Sequence, residues 1–365
     1  MVLFGQTLEQ LQVLCLDEGF QKFTARQLCD WMYKKRVNDF DSMTNLSLKI
    51  RARLNEIATV GRTAPIDCQT SVDGTKKYLF SCGSESSNNT QSLSDNTQFV
   101  ESVFIPTSDR ATLCISCQRG CKMGCRFCVT GKQGFHGSLT AADILNQLFE
   151  VDAQVSPAQD VKQSGIQTIT NVVYMGMGEP MDNYEAVKQS VEVLTADWGL
   201  GWSPQRITVS TVGIIPTLRR LLDEMRCHVA VSLHNPFPDE REEIMPVERA
   251  YPITDVIKLL RQYDWHGQRR ISFEYIMFRG QNDDIRHAAA LTSLLRGLPC
   301  RVNLIRFHTS PDMPFRTSTD ITIDNFCNYL NNHGIICTIR ASRGEDIMAA
   351  CGLLAGKSKT KTSKE

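Results

Sequence analysis

The stretch GCKMGCRFC, residues 120–128, carries three thiols in the spacing C-x3-C-x2-C. These thiols belong to Cys121, Cys125 and Cys128 and can converge from one tight loop. Iron–sulfur clusters are held by Cys thiolates, and a four-iron cluster takes one thiolate for each iron. Three thiolates therefore leave one iron open to bind another molecule. A structural zinc site is the alternative, and in that case Cys117 would supply a fourth thiolate.

The composition indicates a globular protein without a global nucleic-acid-binding charge. The 365 residues include 40 Lys and Arg and 40 Asp and Glu, so the formal net charge is zero and RNA binding requires local patches. Polar residues follow residues 1–4 directly and no apolar run reaches membrane-spanning length, so we expect no signal peptide and no membrane span. The 14 cysteines then indicate metal or redox roles in a reducing cytoplasm.

The sequence predicts four parts. Residues 1–74 are predicted to form a helical accessory domain, a candidate RNA-binding unit, because apolar residues recur at helical spacing after a potential cap at Thr7. Residues 75–110 are predicted to form a β-hairpin extension with a polar insertion rich in Ser, Asn and Thr. Residues 111–356 would be the core, and residues 357–365 a basic, disordered tail.

From residue 111 onward, strand patterns and helix patterns alternate along the chain. Strands are predicted at residues 111–117, 170–175, 206–210, 228–233, 271–277, 302–307 and 335–339, and helices at 139–151, 184–194, 217–225, 256–263, 285–295 and 323–331. Repeated strand–helix units of this length predict a parallel sheet wrapped by helices. The fold class is therefore α/β, and the number of units favours a partial (β/α)6 barrel over a closed eightfold one. In such folds the chemistry lies at the carboxyl ends of the strands.

Polar residues of unusual type follow the predicted strands at the points where those strands end. The cysteine loop follows the first strand of the core. Later strand ends carry Gly178, Glu179, Ser210, Ser232, His234 and His308. Because these ends share one rim, the side chains are expected to surround the cysteine loop. This pattern favours a catalytic cluster over a structural zinc, since a structural metal needs no ring of polar groups.

Ordered matches to one protein family extend from about residue 98 to residue 356. Besides the cysteine loop, the matching segments are Glu101–Val103, Leu113-Cys114, Thr130–Phe135, Gly176–Asn183, Ser210–Gly213, Ser232–His234, Arg343-Gly344 and Ala349–Gly352. On these segments the chain resembles the RlmN/Cfr family of radical S-adenosylmethionine (SAM) RNA methyltransferases. It is more similar to the RlmN branch than to the Cfr branch. The amino-terminal helices also resemble the small accessory domain of the family, but this match is less specific than the motifs of the core.

This resemblance implies two cofactors. In the superfamily, the open iron of one [4Fe-4S] cluster holds SAM, and an electron from the cluster cleaves SAM to a 5′-deoxyadenosyl radical. The metal ligands would be Cys121, Cys125 and Cys128. The residues that match SAM contacts are Gly178, Glu179, Ser210, Ser232, Leu233, His234 and His308. The chain departs from the family pattern at His308, often Asn, and at Cys117, usually Ser.

The resemblance also implies the reaction. Adenine C2 is not nucleophilic, so ordinary methyl transfer to it has no feasible route. In the family, two SAM molecules are used per turnover: one methylates the cysteine at the position of Cys351, and the second activates that methyl group for attack on adenine. A second thiol, matched by Cys114, then forms a disulfide with Cys351 and releases the base. Glu101 matches a general base, and the choice between Glu101 and Cys114 for removal of the C2 proton stays open.

The implied substrates are 23S rRNA, at the peptidyl transferase centre, and tRNA, next to the anticodon. A reducing electron-donor protein of the flavodoxin type and a monomeric enzyme are also expected. The Cfr-type reaction at adenine C8 is the alternative, because it shares all of these motifs. A non-catalytic, metal-binding RNA-binding protein is the alternative from a different functional class.

Overall fold

The computed structural model describes residues 1–82, 98–155, 169–267, 269–309, 313–350 and 352–355. Cys351, the predicted tail at 357–365 and nearly all of the predicted polar insertion lie outside the described residues. Among the residues that are described, every helix is too short or too polar to cross a membrane.

The amino-terminal region is helical, as predicted. Its helices are α1 (Leu8–Asp17), α2 (Phe23–Cys29), which a π-helical turn over Asp30–Lys34 extends, and α3 (Leu48–Ile57). The predicted cap of α1 is present, because Thr7 Oγ1 accepts a hydrogen bond from the Gln10 amide at 3.2 Å. The Gln10 side chain accepts one from the Thr7 amide at 2.8 Å in return, which satisfies two otherwise unpaired donors.

One ten-stranded sheet forms the centre of the described structure, and a short hairpin accompanies it. The strands are β1 (Asp67–Thr70), β2 (Lys76–Ser81), β3 (Phe99–Pro106), β4 (Ala111–Cys114), β5 (Gln118–Gly120), β6 (Phe135–Ser138), β7 (Asn171–Tyr174), β8 (Ile207–Thr211), β9 (His228–Ser232), β10 (Ile271–Met277), β11 (Arg301–Arg306) and β12 (Ile336–Ile339). The sheet order is β1-β2-β3-β4-β7-β8-β9-β10-β11-β12, and β5 pairs with β6 in the hairpin.

The sheet combines an antiparallel edge with a parallel body. β1 to β4 pair antiparallel, whereas β4, β7 and the following strands through β12 pair parallel. The parallel strands follow the sequence order, so each crossover places a helix on the same outer face. β1 and β12 are the two ends of the described sheet, and this open arrangement agrees with the predicted partial barrel.

The helices of the core are α4 (Val129–Lys132), α5 (Ala141–Val155), α6 (Tyr184–Thr195), α7 (Ile215–Glu224), α8 (Pro238–Ile244), α9 (Ile253–Leu260), α10 (Ile285–Leu295) and α11 (Asp320–Asn332). Six of them connect the parallel strands, and the short helices α4 and α8 lie near the strand ends. The six predicted core helices correspond to α5, α6, α7, α9, α10 and α11. The short helices α4 and α8 were not predicted, and neither were β1 and the β5–β6 hairpin.

The core between the strands and the helices is apolar. Val209, Val231 and Phe273 on adjacent strands are fully buried, as are Leu218 and Leu260 on the covering helices. Parallel strands buried on both faces are typically rich in apolar residues. Each of β8, β9 and β10 contributes buried apolar side chains, although Thr, Ser and Glu interrupt the runs. Burial of this surface, worth roughly 25 cal/mol for each Å² removed from water, holds the strand ends at fixed positions.

Candidate active site

A cleft opens at the carboxyl ends of the parallel strands, and its space between atoms, including the part open to solvent, is about 1140 Å³. Among the residues that line it are nine of the predicted site residues: Cys114, Cys121, Cys125, Cys128, Gly178, Glu179, Ser210, Ser232 and His234. The fold therefore brings the cysteine loop and four strand ends of the core to one place. This is the location at which enzymes of barrel type carry their chemistry.

The cysteine loop is held on both sides by backbone contacts. The β5–β6 hairpin frames it, and the Cys121 amide donates to the Gly134 carbonyl at 2.9 Å. Gly120 adopts a φ of +74°, and a Cβ there would lie 1.8 Å from the Gly134 oxygen, so only glycine fits. On the other side, the Arg126 amide donates to the Ile244 carbonyl at 2.9 Å.

The three loop thiols suit a cluster better than a single metal ion. Burial raises the pKa of Cys121 to about 12 and that of Cys125 well above its usual value, so these thiols stay protonated until a metal replaces the protons. Among the described residues, no three His, Cys, Asp or Glu side chains surround one metal position. Cys117 does not line the cleft. Thiolates that bind separate irons need not converge on one point, whereas a zinc ion requires four ligands around it.

Glu179 is presented to the cleft by a closely packed glycine turn. Gly178 has a φ of +99°, and a Cβ there would lie 2.5 Å from Cβ of Gln118. The Glu179 amide donates to Gln118 Oε1 at 2.9 Å. The Glu179 carboxylate accepts from the Met181 amide at 3.1 Å and from the Val212 amide at 3.0 Å. Both carboxylate oxygens are thus oriented by backbone donors.

The charge of Glu179 is not matched by any ion pair in the described residues. The side chain is buried, and this burial raises its pKa to about 7 in spite of the hydrogen bonds. A cationic group entering the cleft would favour the ionised carboxylate. The amino group of SAM is such a cation, so the residues present fit this cofactor.

His234 is a neutral hydrogen-bond donor at the cleft. Its Nδ1 accepts from the Ile276 amide at 3.1 Å, which assigns the ring proton to Nε2. Burial, and then the positive charge of Arg241, lower its pKa to about 3. The ring packs edge-on against Phe127 at 4.8 Å between centroids. The preceding Leu233 is fully buried and does not line the cleft; its amide donates to the Glu274 carbonyl at 3.0 Å.

Two other predicted residues also lie outside the cleft lining. His308 hydrogen-bonds through Nε2 with Ser342 Oγ at 3.1 Å. Glu101 is 1 % exposed and is engaged on both oxygens: Lys77 Nζ lies 3.1 Å from Oε1, and the Ala355 amide donates to Oε2 at 2.7 Å. Both side chains are therefore hydrogen-bonded within the protein and add no surface to the cleft in the described structure.

The carboxyl-terminal segment, residues 352–355, is fastened beside the cysteine loop. The Gly352 carbonyl accepts from the Val129 amide at 2.8 Å, and the Leu354 carbonyl accepts from Thr130 Oγ1 at 2.8 Å. The Ala355 carbonyl accepts from Gln133 Nε2 at 2.7 Å. Ala350 and Gly352 line the cleft on either side of position 351 in the chain.

Glu274 and Arg340 also line the cleft, although neither is among the site residues predicted from the sequence. Arg340 Nε lies 3.5 Å from Glu274 Oε2. Glu274 Oε1 accepts from Asn303 Nδ2 at 2.8 Å and from Ser272 Oγ at 2.9 Å. A carboxylate in the middle of the apolar strand β10 was a detectable signal, because a charged residue is rarely buried without a reason. For Arg340 no comparable signal exists.

Models of two families match the chain. Residues 1–60 match the ribosomal RNA large subunit methyltransferase N-terminal domain, and residues 115–291 match the radical SAM superfamily. The first match falls on the amino-terminal helices, and the second covers the cysteine loop and strands β7 to β10.

Curated relatives and a solved structure match over nearly the whole chain. "Probable dual-specificity RNA methyltransferase RlmN" of Porphyromonas gingivalis is 52 % identical over 100 % of this chain and 96 % of its own length. "Dual-specificity RNA methyltransferase RlmN" of Syntrophus aciditrophicus is 40 % identical over 96 % of this chain and 95 % of its own. The crystal structure of a radical SAM methyltransferase from Sphaerobacter thermophilus has a TM-score of 0.85 at 38 % identity and covers 98 % of this chain and 100 % of that one. The chain therefore belongs to the RlmN family of radical SAM RNA methyltransferases.

Proposed function

We propose that this protein methylates C2 of adenine in 23S rRNA, at the peptidyl transferase centre, and in tRNA, next to the anticodon. The observation that carries the proposal is one cleft lined by the three loop thiols, Cys114 and Glu179, together with the chain neighbours of Cys351. The names of the relatives support two kinds of RNA substrate, since they describe dual-specificity RNA methyltransferases.

A [4Fe-4S] cluster and SAM are the cofactors that membership of the radical SAM superfamily implies. When bound, they supply the 5′-deoxyadenosyl radical. Cys121, Cys125 and Cys128 would hold the cluster. The proposed SAM-binding residues are Gly178, Glu179, Ser210, Ser232, Leu233, His234 and His308. Glu179 would receive the amino group and His234 would donate from Nε2, as their hydrogen bonds favour.

Cys351 is proposed to carry the methyl group before it reaches the RNA. Its thiolate takes a methyl group from one SAM, which leaves as S-adenosylhomocysteine, and the S–CH3 bond forms. Loss of a hydrogen atom from that methyl group to the radical that a second SAM would supply allows its carbon to bond to C2. The adduct would then return one electron to the cluster and give its C2 proton to a base. The Cys114 thiolate then bonds to the sulfur of Cys351, the carbon–sulfur bond to the RNA breaks, and the released CH2 group takes up a proton to become the methyl group. The resulting disulfide must be reduced before the next turnover.

Two residues are candidates for removing the C2 proton. Cys114 lines the cleft, whereas the Glu101 carboxylate is occupied by Lys77 and the Ala355 amide and does not line it. A base must first be within reach of its proton. This geometry favours Cys114 and leaves Glu101 the task of fastening the carboxyl-terminal segment.

The partners are proposed on the same grounds. The enzyme would work as a cytoplasmic monomer and receive electrons from a reducing protein of the flavodoxin type. The formal net charge of zero excludes a global attraction to RNA, so RNA would be held by local basic patches.

The proposal is tested by anaerobic turnover of reconstituted enzyme on an rRNA fragment that contains the target adenine. Wild type and Cys351→Ala are compared, and Cys300→Ala serves as a control because Cys300 does not line the cleft. Mass spectrometry of the digested RNA should show 2-methyladenosine for wild type and the control and none for Cys351→Ala. Turnover by Cys351→Ala would reject the carrier role, and 8-methyladenosine alone would favour the Cfr-type reaction. Zinc in place of iron, without SAM cleavage, would favour a non-catalytic protein.

A further inference from the structure

Arg241 is a fully buried arginine immediately behind the wall of the cleft. It lies on α8 with no exposed surface and does not line the cleft itself. Its guanidinium donates from Nε to the Leu233 carbonyl at 2.9 Å and from Nη2 to the Ser232 carbonyl at 2.9 Å. Nη2 also donates to the Val212 carbonyl at 3.2 Å. One side chain thus joins the carboxyl ends of the adjacent strands β8 and β9.

The charge of Arg241 is compensated by Glu248. Arg241 Nη1 donates to Glu248 Oε2, and Glu248 is 3 % exposed. The Glu248 carboxylate also accepts from the Ile253 amide at 3.0 and 3.1 Å. Replacing a buried ion pair with uncharged residues of similar volume is often neutral for stability. Stability alone therefore does not explain why this site contains an arginine.

The carbonyls that Arg241 contacts belong to the backbone that presents the cleft residues. Val212 accepts from Arg241 through its carbonyl, and its amide donates to the Glu179 carboxylate at 3.0 Å. Ser232 lines the cleft, and Leu233 directly precedes His234, which lines it too. Arg241 thus contacts Ser232 directly. One residue lies between Arg241 and each of the other two: Val212 before Glu179, and Leu233 before His234.

We propose that Arg241 is a positioning residue for SAM binding. It locks the ends of β8 and β9 together, so that Glu179 and His234 hold their orientations before SAM arrives. A guanidinium suits this task because its donors form a rigid fork, whereas a lysine ammonium is a single point of charge. The assignment rests on the proposed function only for the identity of the ligand.

The decisive variant is the double substitution Arg241→Met with Glu248→Gln. It removes the donors to the three carbonyls without leaving an unpaired charge, so cooperative unfolding should persist. SAM binding to the anaerobically reconstituted enzyme should weaken by about tenfold, roughly what loss of one net hydrogen bond to a charged group costs. Hydrogen exchange at the Val212 amide, measured without SAM, should become faster.

A matched control is Arg62→Met with Glu150→Gln. Arg62 is also largely buried, lies 2.7 Å from Glu150, and donates to the Arg36 carbonyl at 2.7 Å, but neither Arg62 nor Glu150 lines the cleft. This control should leave SAM affinity unchanged. The single variant Arg241→Lys retains the charge but loses the fork, so it should weaken SAM binding as well.

The outcomes separate the two proposals. Unchanged SAM affinity and unchanged exchange at Val212 in the Arg241 double variant would overturn the positioning role. Loss of cooperative unfolding in both Arg241 variants would overturn it too, because Arg241 would then be a residue of the core only. If the wild-type enzyme binds SAM but methylates a different atom, the proposed C2 specificity is wrong. The positioning role of Arg241 is still decided by the SAM affinities of the variants.

Discussion

The backbone amide of Ala355 donates a 2.7 Å hydrogen bond to the carboxylate of Glu101, although 254 residues separate the two. Because Lys77 occupies the other carboxylate oxygen, both oxygens of this buried acid are used inside the protein. The family pattern suggests a base at this position, whereas the contacts describe an anchor for the carboxyl-terminal segment.

This difference can be measured with Glu101→Gln and Glu101→Ala. Glutamine can still accept from the Ala355 amide but cannot act as a base. We therefore expect a methylation rate within roughly fivefold of the wild-type rate, a factor that corresponds to the net free energy of about one hydrogen bond. Alanine leaves the Lys77 ammonium buried and unpaired, which should lower the free energy of unfolding by about 3–5 kcal/mol. Complete loss of methylation in a folded Glu101→Gln protein would show that Glu101 is the base.

Cys114→Ala should trap an RNA–protein adduct. Without the second thiol, nothing can bond to the sulfur of Cys351 and release the methylated base. A covalent complex should therefore accumulate and migrate slowly on a denaturing gel, and ribonuclease treatment should collapse it to a protein of slightly raised mass. Cys300→Ala should turn over normally. Free 2-methyladenosine from Cys114→Ala at the wild-type rate would contradict the proposed release step.

Gly178→Ala should weaken SAM binding in the cleft. A Cβ at Gly178 would lie 2.5 Å from Cβ of Gln118 and 2.8 Å from the backbone nitrogen of Gln118. The backbone strain alone is worth about 1–3 kcal/mol, and displacement of Gln118 would also move Glu179. Gly201→Ala is the matched control, since Gly201 also has a positive φ, +63°, but no atom lies within 4 Å of its Cβ position. The unfolding temperature should fall for both variants, whereas SAM affinity should fall only for Gly178→Ala. Equal SAM affinities would refute the close-packing argument.

The pKa of Glu179 predicts opposite pH effects on stability and on SAM binding. Burial raises this pKa from 4.5 to about 7, so between these values the folded protein holds a proton that the unfolded chain has lost. Without SAM, the contribution of Glu179 to stability should therefore decrease as pH rises from about 5 to 7.5. SAM affinity should increase over the same range, because the SAM amino group requires the carboxylate.

The matched control for this prediction is Glu179→Gln, which has no proton to lose. Chemical denaturation of both proteins at pH 5.5, 6.5 and 7.5 isolates the contribution of Glu179 as the difference between them. SAM titrations at the same pH values complete the test. Parallel pH profiles for wild type and Glu179→Gln would mean that Glu179 stays ionised throughout and is solvated better than its burial indicates.

The regular part of the fold was predictable from local patterns. The apolar strand β10 and the helix α10 carry strong periodicity, and both were predicted over Ile271–Met277 and Ile285–Leu295. The short helix α8 escaped prediction because Pro238–Ile244 is mostly charged and shows no apolar stripe. The β5–β6 hairpin escaped because its pairing frames the cysteine loop and has little apolar pattern of its own.

The site was predictable where chemistry leaves a local trace and not where it depends on distant contacts. The cysteine spacing and Gly178-Glu179 at a strand end are visible in the sequence, and they line the cleft. Arg241 was missed because an arginine among charged neighbours looks like a surface residue, and only its fully buried environment sets it apart. His308 follows a strand as expected, but its ring hydrogen-bonds with Ser342 and does not line the cleft.

The open order of the sheet has a consequence for bulky substrates. β1 and β12 are the ends of the sheet in the described part of the chain, so the strands do not close around the cleft. The lining residues Ala349, Ala350, Gly352 and Leu354 belong to no strand. A closed barrel would admit a substrate only through its end, whereas a folded polymer can meet an open sheet from its side.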